Sequence, residues 1–254
     1  MKGYIFFLIL FFSSKALSQK QISIAKVEYE MTTNSNNGFD AYNAVLTFNE
    51  KISRFVFSKK AKEEELVEKE EKEHTVINLR INDTTANCII NDLNKKTIYN
   101  IIDKEIVFEN NDSQRWTLGN EEKTIGKIRC KKATCNFRGR DYIAWYTDEI
   151  PVPFGPWKFN GLPGLIVEVS DATNEVFFSI LKIEIPFNTE IKNISDSDKK
   201  ISREDFKKRI EKELNKQKKN LEERARIIES SAGKNETIII NVSAPVINRG
   251  IELD

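Results

Sequence analysis

Between residues 22 and 185 the chain repeats one theme. Segments of five to ten residues rich in Val, Ile, Phe, Tyr and Thr, many alternating with polar residues, are separated by clusters of Asn, Asp, Gly or Lys. A period of two puts alternate side chains on opposite faces of an extended strand. The segments at 22–31, 42–48, 52–57, 76–81, 87–91, 97–102, 105–109, 115–118, 127–137, 142–147, 165–170 and 176–185 read as such strands. The connections are too short for crossover helices, so neighbouring strands must pair antiparallel. The expected fold is mainly β: a curved antiparallel sheet or partly closed barrel.

Two segments depart from this theme, and both are charged. Residues 59–73 hold twelve charged side chains in fifteen, with Ala61, Leu66 and Val67 the apolar exceptions. They read as a solvated hairpin extension or short exposed helix inserted between strands. The second segment is one long C-terminal α-helix at about 203–229. Ser202 followed by Asp205 resembles a capping box with Asp in place of Glu, and Gly233 supplies a stop. Ile210, Leu214, Gln217, Leu221, Arg224 and Ile228 fall at alternating spacings of four and three, with Phe206 one turn earlier. The stripe is narrow and twice interrupted by polar residues. The helix is therefore expected to be mostly wet, lying across the sheet or bridging to a partner, with a coiled coil as the alternative. Residues 237–242 read as one last strand.

These two segments also explain the composition. Charged residues make up 31% of the chain, yet residues 59–73 and 198–226 carry 31 of the 79. The formal net charge is only +1, which gives no global footprint for nucleic acid.

At the N-terminus, Lys2 precedes an unbroken apolar run at 4–12, and Ala16 and Ser18 stand at −3 and −1 before Gln19. This is the pattern of a signal peptide over 1–18, with 19–254 expected to form a single β domain. The run is about half the roughly 20 apolar residues that a membrane span requires. The mature chain is expected to carry no transmembrane segment and to reside in the periplasm or cell envelope of a Gram-negative bacterium. Export permits disulfides. With three cysteines, the pairing to test is Cys88 with Cys130 or Cys135, because the latter two stand about 16 Å apart along one strand. Three small buried thiols are the alternative.

The remaining anomaly lies between Tyr142 and Gly164. Four of the six prolines and two of the three tryptophans fall there, together with Gly155, Gly161 and Gly164. Pro151, Pro153 and Pro156 fix φ and remove donors, so a loop of about 17 residues is expected rather than a central strand. Leu162-Pro163-Gly164-Leu165 has the type II turn pattern, in which Gly164 would supply positive φ. Trp157, Phe159 and Leu162 are too apolar to stand in water together. They either fold under the loop to plug the open end of the sheet, or line and cover an apolar groove. In the second case the binding residues would be Trp145, Trp157, Phe159, Leu162, Pro163, Gly164 and Leu165.

The hexapeptide Gly161-Leu-Pro-Gly-Leu-Ile166 is preceded by Gly155-Pro-Trp-Lys-Phe159, by Ala144-Trp-Tyr-Thr-Asp-Glu-Ile-Pro151, and by Cys130-Lys-Lys-Ala133 with Phe137-Arg-Gly-Arg140. In these residues the chain resembles the GLPGLI family of the Bacteroidetes, over roughly 116–171. The resemblance implies an exported, envelope-located, predominantly β protein. It brings no catalytic residues with it.

The sequence lacks His-Glu-x-x-His, Gly-x-Ser-x-Gly, a Gly-rich phosphate loop and Cys-x-x-Cys, and its one histidine, His74, lies in a charged run. No metal or cofactor is expected. Asp148, Glu149 and Glu168 flank the aromatic loop and leave carboxylate hydrolysis as the one catalytic option. The expectation is a non-catalytic envelope protein that binds or carries an apolar ligand. An interaction partner of an outer-membrane assembly is the alternative, and a hydrolase the third.

Overall fold

The computed structural model describes residues 21–22, 24–35, 38–60, 77–79, 87–102, 104–112, 114–231 and 240–242. Residues 1–18, expected as a signal peptide, residues 61–73 of the charged run, His74 and Gly233 lie outside them. The strands are β1 (Gln21–Ile22), β2 (Ala25–Ser35), β3 (Gly38–Phe48), β4 (Ile52–Lys59), β5 (Ile77–Leu79), β6 (Asn87–Asp92), β7 (Thr97–Ile102) and β8 (Glu105–Asn110). They continue with β9 (Thr117–Ile125), β10 (Ile128–Phe137), β11 (Arg140–Thr147), β12 (Leu165–Asp171), β13 (Val176–Glu184), β14 (Glu190–Ile191), β15 (Lys200–Ser202) and, after the helix α1 (Arg203–Ser231), β16 (Ile240–Val242).

Twelve strands form one curved, unclosed sheet in the order β15-β8-β7-β6-β4-β3-β2-β13-β12-β11-β10-β9. All its pairings are antiparallel except that of β15 with β8. The order is that of two meanders. One runs outward from β2 to β8, the other runs inward from β9 to β13, and β13 pairs with β2 where they meet. The chain therefore jumps from one margin to the other between Asn110 and Thr117. Eleven strands laid flat would separate β8 from β9 by about 48 Å, whereas the connecting residues reach at most about 24 Å. The sheet must curl until its margins approach.

Alternation places the core. In β2, Ala25, Val27, Tyr29 and Met31 are buried, and the residues between them are half-exposed. They meet Ala44, Leu46 and Phe48 of β3, Phe55 and Phe57 of β4, Ala144 and Tyr146 of β11 and Phe178 of β13 in one continuous interior. A smaller cluster on the opposite face of β4, β6 and β7 packs Ile52, Cys88, Ile90 and Tyr99 under Ile191 and Ile194.

The cysteines fall on both sides of this division. Cys135 packs in the interior and Cys88 in the outer cluster, while Cys130 is buried in neither. All three are free, so the expected pairing of Cys88 with Cys130 or Cys135 is not made. The sheet itself stands between Cys88 and Cys135.

Helix α1 begins as its sequence dictates. The Ser202 hydroxyl caps the helix by accepting from the Asp205 amide at 3.1 Å and donates to the Asp205 carboxylate at 2.8 Å, so the Asp205 side chain returns to the Ser202 hydroxyl instead of to its backbone amide as in a full capping box. Phe206 is buried, Ile210 and Leu214 are half-buried, and Arg209 forks onto Glu105 of β8. From Asn215 to Asn220 every residue is exposed, Gln217 of the expected stripe included. The helix thus leaves the sheet after its first turns instead of lying across it.

Candidate functional site

The loop at 148–164 enters the curl of the sheet and fills it. Trp157, Phe159 and Leu162 are each 1–2% exposed, and Val152 and Phe154 are buried beside them. Phe159 is the centre of the packing, with ring centroids 4.7 Å from Tyr142, 5.2 Å from Trp157 and 6.1 Å from Phe137 and Phe178. Such edge and tilted pairs stabilise by about 0.5–1.5 kcal/mol each beyond the area they bury.

A buried loop must find partners for its backbone. Here Val152 N donates to Ile150 O, Phe159 N to Pro156 O, Gly161 N to Pro153 O, Leu165 N to Ile150 O and Ile166 N to Phe154 O, all within 3.1 Å. The buried Tyr29 hydroxyl donates to Ile166 O at 2.6 Å and ties β12 to β2.

The hexapeptide does its work here, by a different device from the expected turn. Gly164 does not have positive φ; Gly161 does, at 92°. Gly164 is required because its backbone lies directly on the carbonyl of Thr147, and a Cβ there would stand 1.9 Å from that oxygen. Gly155 is pressed likewise onto Ile166, whose Cβ would lie 2.7 Å from an added methyl. Leu162, Leu165 and Ile166 point into the core, and Pro163 is exposed.

Polar residues then seal the seam between the two sheet margins. The Lys158 ammonium, 3% exposed although it sits between Trp157 and Phe159, pairs with Glu109 of β8 at 2.6 Å. Arg138 from the β10–β11 turn and Arg203 from the start of α1 converge on the same carboxylate. Asn160 donates to the Asn111 side chain at 3.1 Å, its amide donates to Gln114 Oε1 at 2.9 Å, and its carbonyl accepts from Trp116 Nε1 at 2.8 Å. Glu109, Gln114, Trp116, Lys158 and Asn160 were not singled out by sequence. The one available signal was a lysine set between two aromatic residues in an apolar stretch.

Trp145 does not join this cluster. It alternates with the inward Ala144 and Tyr146, stands half-buried on the outer face of β11, and carries the Lys123 ammonium 4.4 Å from its ring centroid. Lys123 also pairs with Glu168 at 2.5 Å, opposite Trp145 on β12. The other candidate carboxylates have cations of their own, Asp148 with Lys131 at 2.6 Å and Glu149 with Arg129 at 3.3 Å. The hydrogen bond from Lys131 holds the Asp148 carboxyl below its ordinary range.

One residue in the plug is under visible tension. Trp157 adopts φ of 54°, a left-handed conformation that costs a bulky residue on the order of 1–3 kcal/mol. Its buried indole Nε1 has no hydrogen-bond partner among the described residues.

The model of a family described as "Protein of unknown function (Porph_ging)" matches residues 138–168, from the β10–β11 turn through the whole of the plug into β12. No curated protein matches the chain. Among solved structures, it is similar to PNGF-II in two crystal forms. In the P21 form the identity is 12% and the TM-score 0.46, over 73% of this chain and 32% of that one. In the C2 form the values are 11% and 0.44, over 71% and 31%. The chain thus spans about a third of the PNGF-II chains. A Vibrio parahaemolyticus domain provisionally described as an outer membrane lipoprotein-sorting protein gives 6% identity and a TM-score of 0.24, over 69% of this chain and 88% of that one. These are loose likenesses in the course of the chain.

Proposed function

We propose that the chain is an exported, non-catalytic, GLPGLI-type protein of the cell envelope that binds its partner from its outer surface. The observation behind the surface reading is the filled interior: the residues that would have lined an apolar groove, Trp157, Phe159, Leu162 and Leu165, are its packing. A ligand beneath the loop would have to displace aromatic side chains and the backbone hydrogen bonds around them. Export is supported by the basic, apolar and small-residue succession over 1–18, and the family by the hexapeptide with its flanking segments. A non-catalytic role is supported by Asp148, Glu149 and Glu168, each paired with a separate cation instead of with one another. The partner in this reading is a protein of an envelope assembly, met by the margin strand β9, the outer face around Trp145, or α1.

The test is site-specific photo-crosslinking in cells. A crosslinker at Leu118 of exposed β9 or at Trp145 should yield a discrete adduct, and one at buried Leu162 should yield none. A small apolar molecule retained in native mass spectra of the envelope-purified protein would overturn the surface reading. It would favour a second one, in which the loop swings out to admit that ligand. The strained φ and unpartnered indole of Trp157 speak for this alternative.

A further inference from the structure

We propose that the exposed basic face of α1 docks the protein on an anionic lipid bilayer. This goes beyond the reading that the protein meets a protein partner at its surface, and it names a lipid chemistry for one part of that surface. Residues 207–219 carry seven Lys or Arg against two Glu, a net charge of +5 in a chain whose total is +1. The charge is therefore strongly asymmetric, with the rest of the molecule at −4.

Geometry concentrates it further. Lys208, Lys212, Lys216 and Lys219 follow one another at spacings of four, four and three, so they share one side of the helix. At 1.5 Å per residue this row is about 16 Å long. It lies opposite Ile210 and Leu214, the half-buried residues that face the sheet, and all four lysines are exposed. Glu211 and Glu213 fall outside the row. Among the described residues no ion pair involves these four lysines, whereas Arg209, on the flank, is held by Glu105. The helix N-terminus is fastened by its cap, by buried Phe206 and by that pair. The row thus lies on a helix whose first turn is held to the sheet and whose lysines stand exposed.

The kind of cation selects among anionic partners. Lysine ammoniums are compact point charges without the planar fork that reads guanine or a carboxylate in two bonds. The row contains no arginine and no aromatic residue on which a base would stack. A straight row of point charges matches dispersed lipid phosphates, to which each near-surface cation adds about a fivefold gain in partitioning.

The experiment is co-sedimentation of the full chain with phosphatidylcholine vesicles, either pure or containing about one third phosphatidylglycerol. Binding is expected to the anionic vesicles alone and to be lost in high salt. The variant Lys208→Gln/Lys212→Gln/Lys216→Gln/Lys219→Gln should partition at least about a hundredfold more weakly at unchanged circular dichroism. The corresponding Lys→Arg variant should bind as the parent does. Equal binding of the Gln variant, indifference to phosphatidylglycerol, or preference for duplex DNA over vesicles would overturn the proposal. Failure here with the Leu118 or Trp145 crosslinks intact leaves the surface reading standing. Vesicle binding with a ligand found inside the protein sinks that reading and leaves this one.

Discussion

The plug loop at 148–164 and the helix α1 are opposites built by the same chain. The loop has almost no regular hydrogen bonding, only the single bridge between Phe154 and Asn160, yet most of its side chains are buried. The helix is regular throughout, and its residues beyond Leu214 that can be assessed are exposed. Order in the loop comes from tertiary packing, joined by the backbone bonds that the Val152, Phe159 and Gly161 amides make within it and the Leu165 and Ile166 amides make to it. Order in the helix comes from local devices, a capped first turn and residues of high helix propensity. Each was conspicuous by composition, one for Pro, Gly and Trp and the other for Lys and Glu. The first composition reports close approach and the second reports water.

The sharpest way to break this contrast is Gly164→Ala. The added methyl would meet backbone on the other side, Thr147 O at 1.9 Å and its carbonyl carbon at 2.6 Å, and neither can rotate away. A loss above about 4 kcal/mol is expected, large enough to abolish cooperative unfolding in a marginal domain. Gly155→Ala meets the Ile166 side chain instead and should cost about 1–3 kcal/mol. Urea denaturation followed by tryptophan fluorescence checks both. Gly164→Ala within about 1 kcal/mol of the parent would mean that the hexapeptide is kept for something other than packing.

Next in size is Phe159→Ala, expected to cost about 3–5 kcal/mol because a large side chain is removed from a fully packed site. Trp157 refines the point. Trp157→Ala should cost a similar amount, whereas Trp157→Phe keeps a ring and removes the unpartnered donor, and should stay within about 1 kcal/mol of the parent. If Trp157→Phe is as damaging as Trp157→Ala, the indole N–H has an acceptor in solution and the plug is rearranged there. On the helix, Ser202→Ala should cost about 1 kcal/mol through the lost cap. The four-lysine variant should change stability by less than about 0.5 kcal/mol, since those side chains are exposed and make no ion pair among the described residues.

How much of this was legible in the sequence follows from the same contrast. Alternation alone set β7 at its observed bounds, because Thr97–Ile102 pairs with strands on both sides and meets a cluster on each face. It failed at β9, expected at 115–118 and found at Thr117–Ile125. This margin strand is exposed on both faces, so its residues from Gly119 to Lys123 bear no apolar imprint. The two-residue strands β1 and β14, and the short β15, lie below the length at which a pattern exists. The pairing of β2 with β13 joins segments about 150 residues apart and leaves no local trace. The burial of Trp157, Phe159 and Leu162 could be anticipated, since no other place suits three such side chains. The role of Gly164 could not, because a close approach to Thr147 depends on a fold that brings β11 and the loop end together. The seam residues were hidden for the same reason, with Gln114 and Trp116 finding partners 44 residues away.

A last contrast separates core from arm by proton affinity. Burial pushes the Cys130 thiol up to about 11 and Cys135 to about 12, and also raises Cys88. In the unfolded chain these thiols ionise near 9.0, the ordinary value for a cysteine. Below that pH both states hold the proton and stability is independent of it. Above it the unfolded state loses protons that the folded state keeps, so stability falls as pH rises from about 9 toward 11 or 12 and then levels. Urea midpoints measured at pH 8 and pH 10.5 should show the decline, and Cys130→Ala/Cys135→Ala should flatten it. Cys88 and the buried Tyr29 phenol, likewise raised by burial, leave a residual slope in that variant. In the parent at pH 8, a thiol reagent should modify the three native cysteines only as fast as the sheet opens. A cysteine introduced on the arm by Lys212→Cys should react at once. Fast modification of Cys135 in the folded protein would show that the seam around Glu109 opens without unfolding, and the plug would then be a gate.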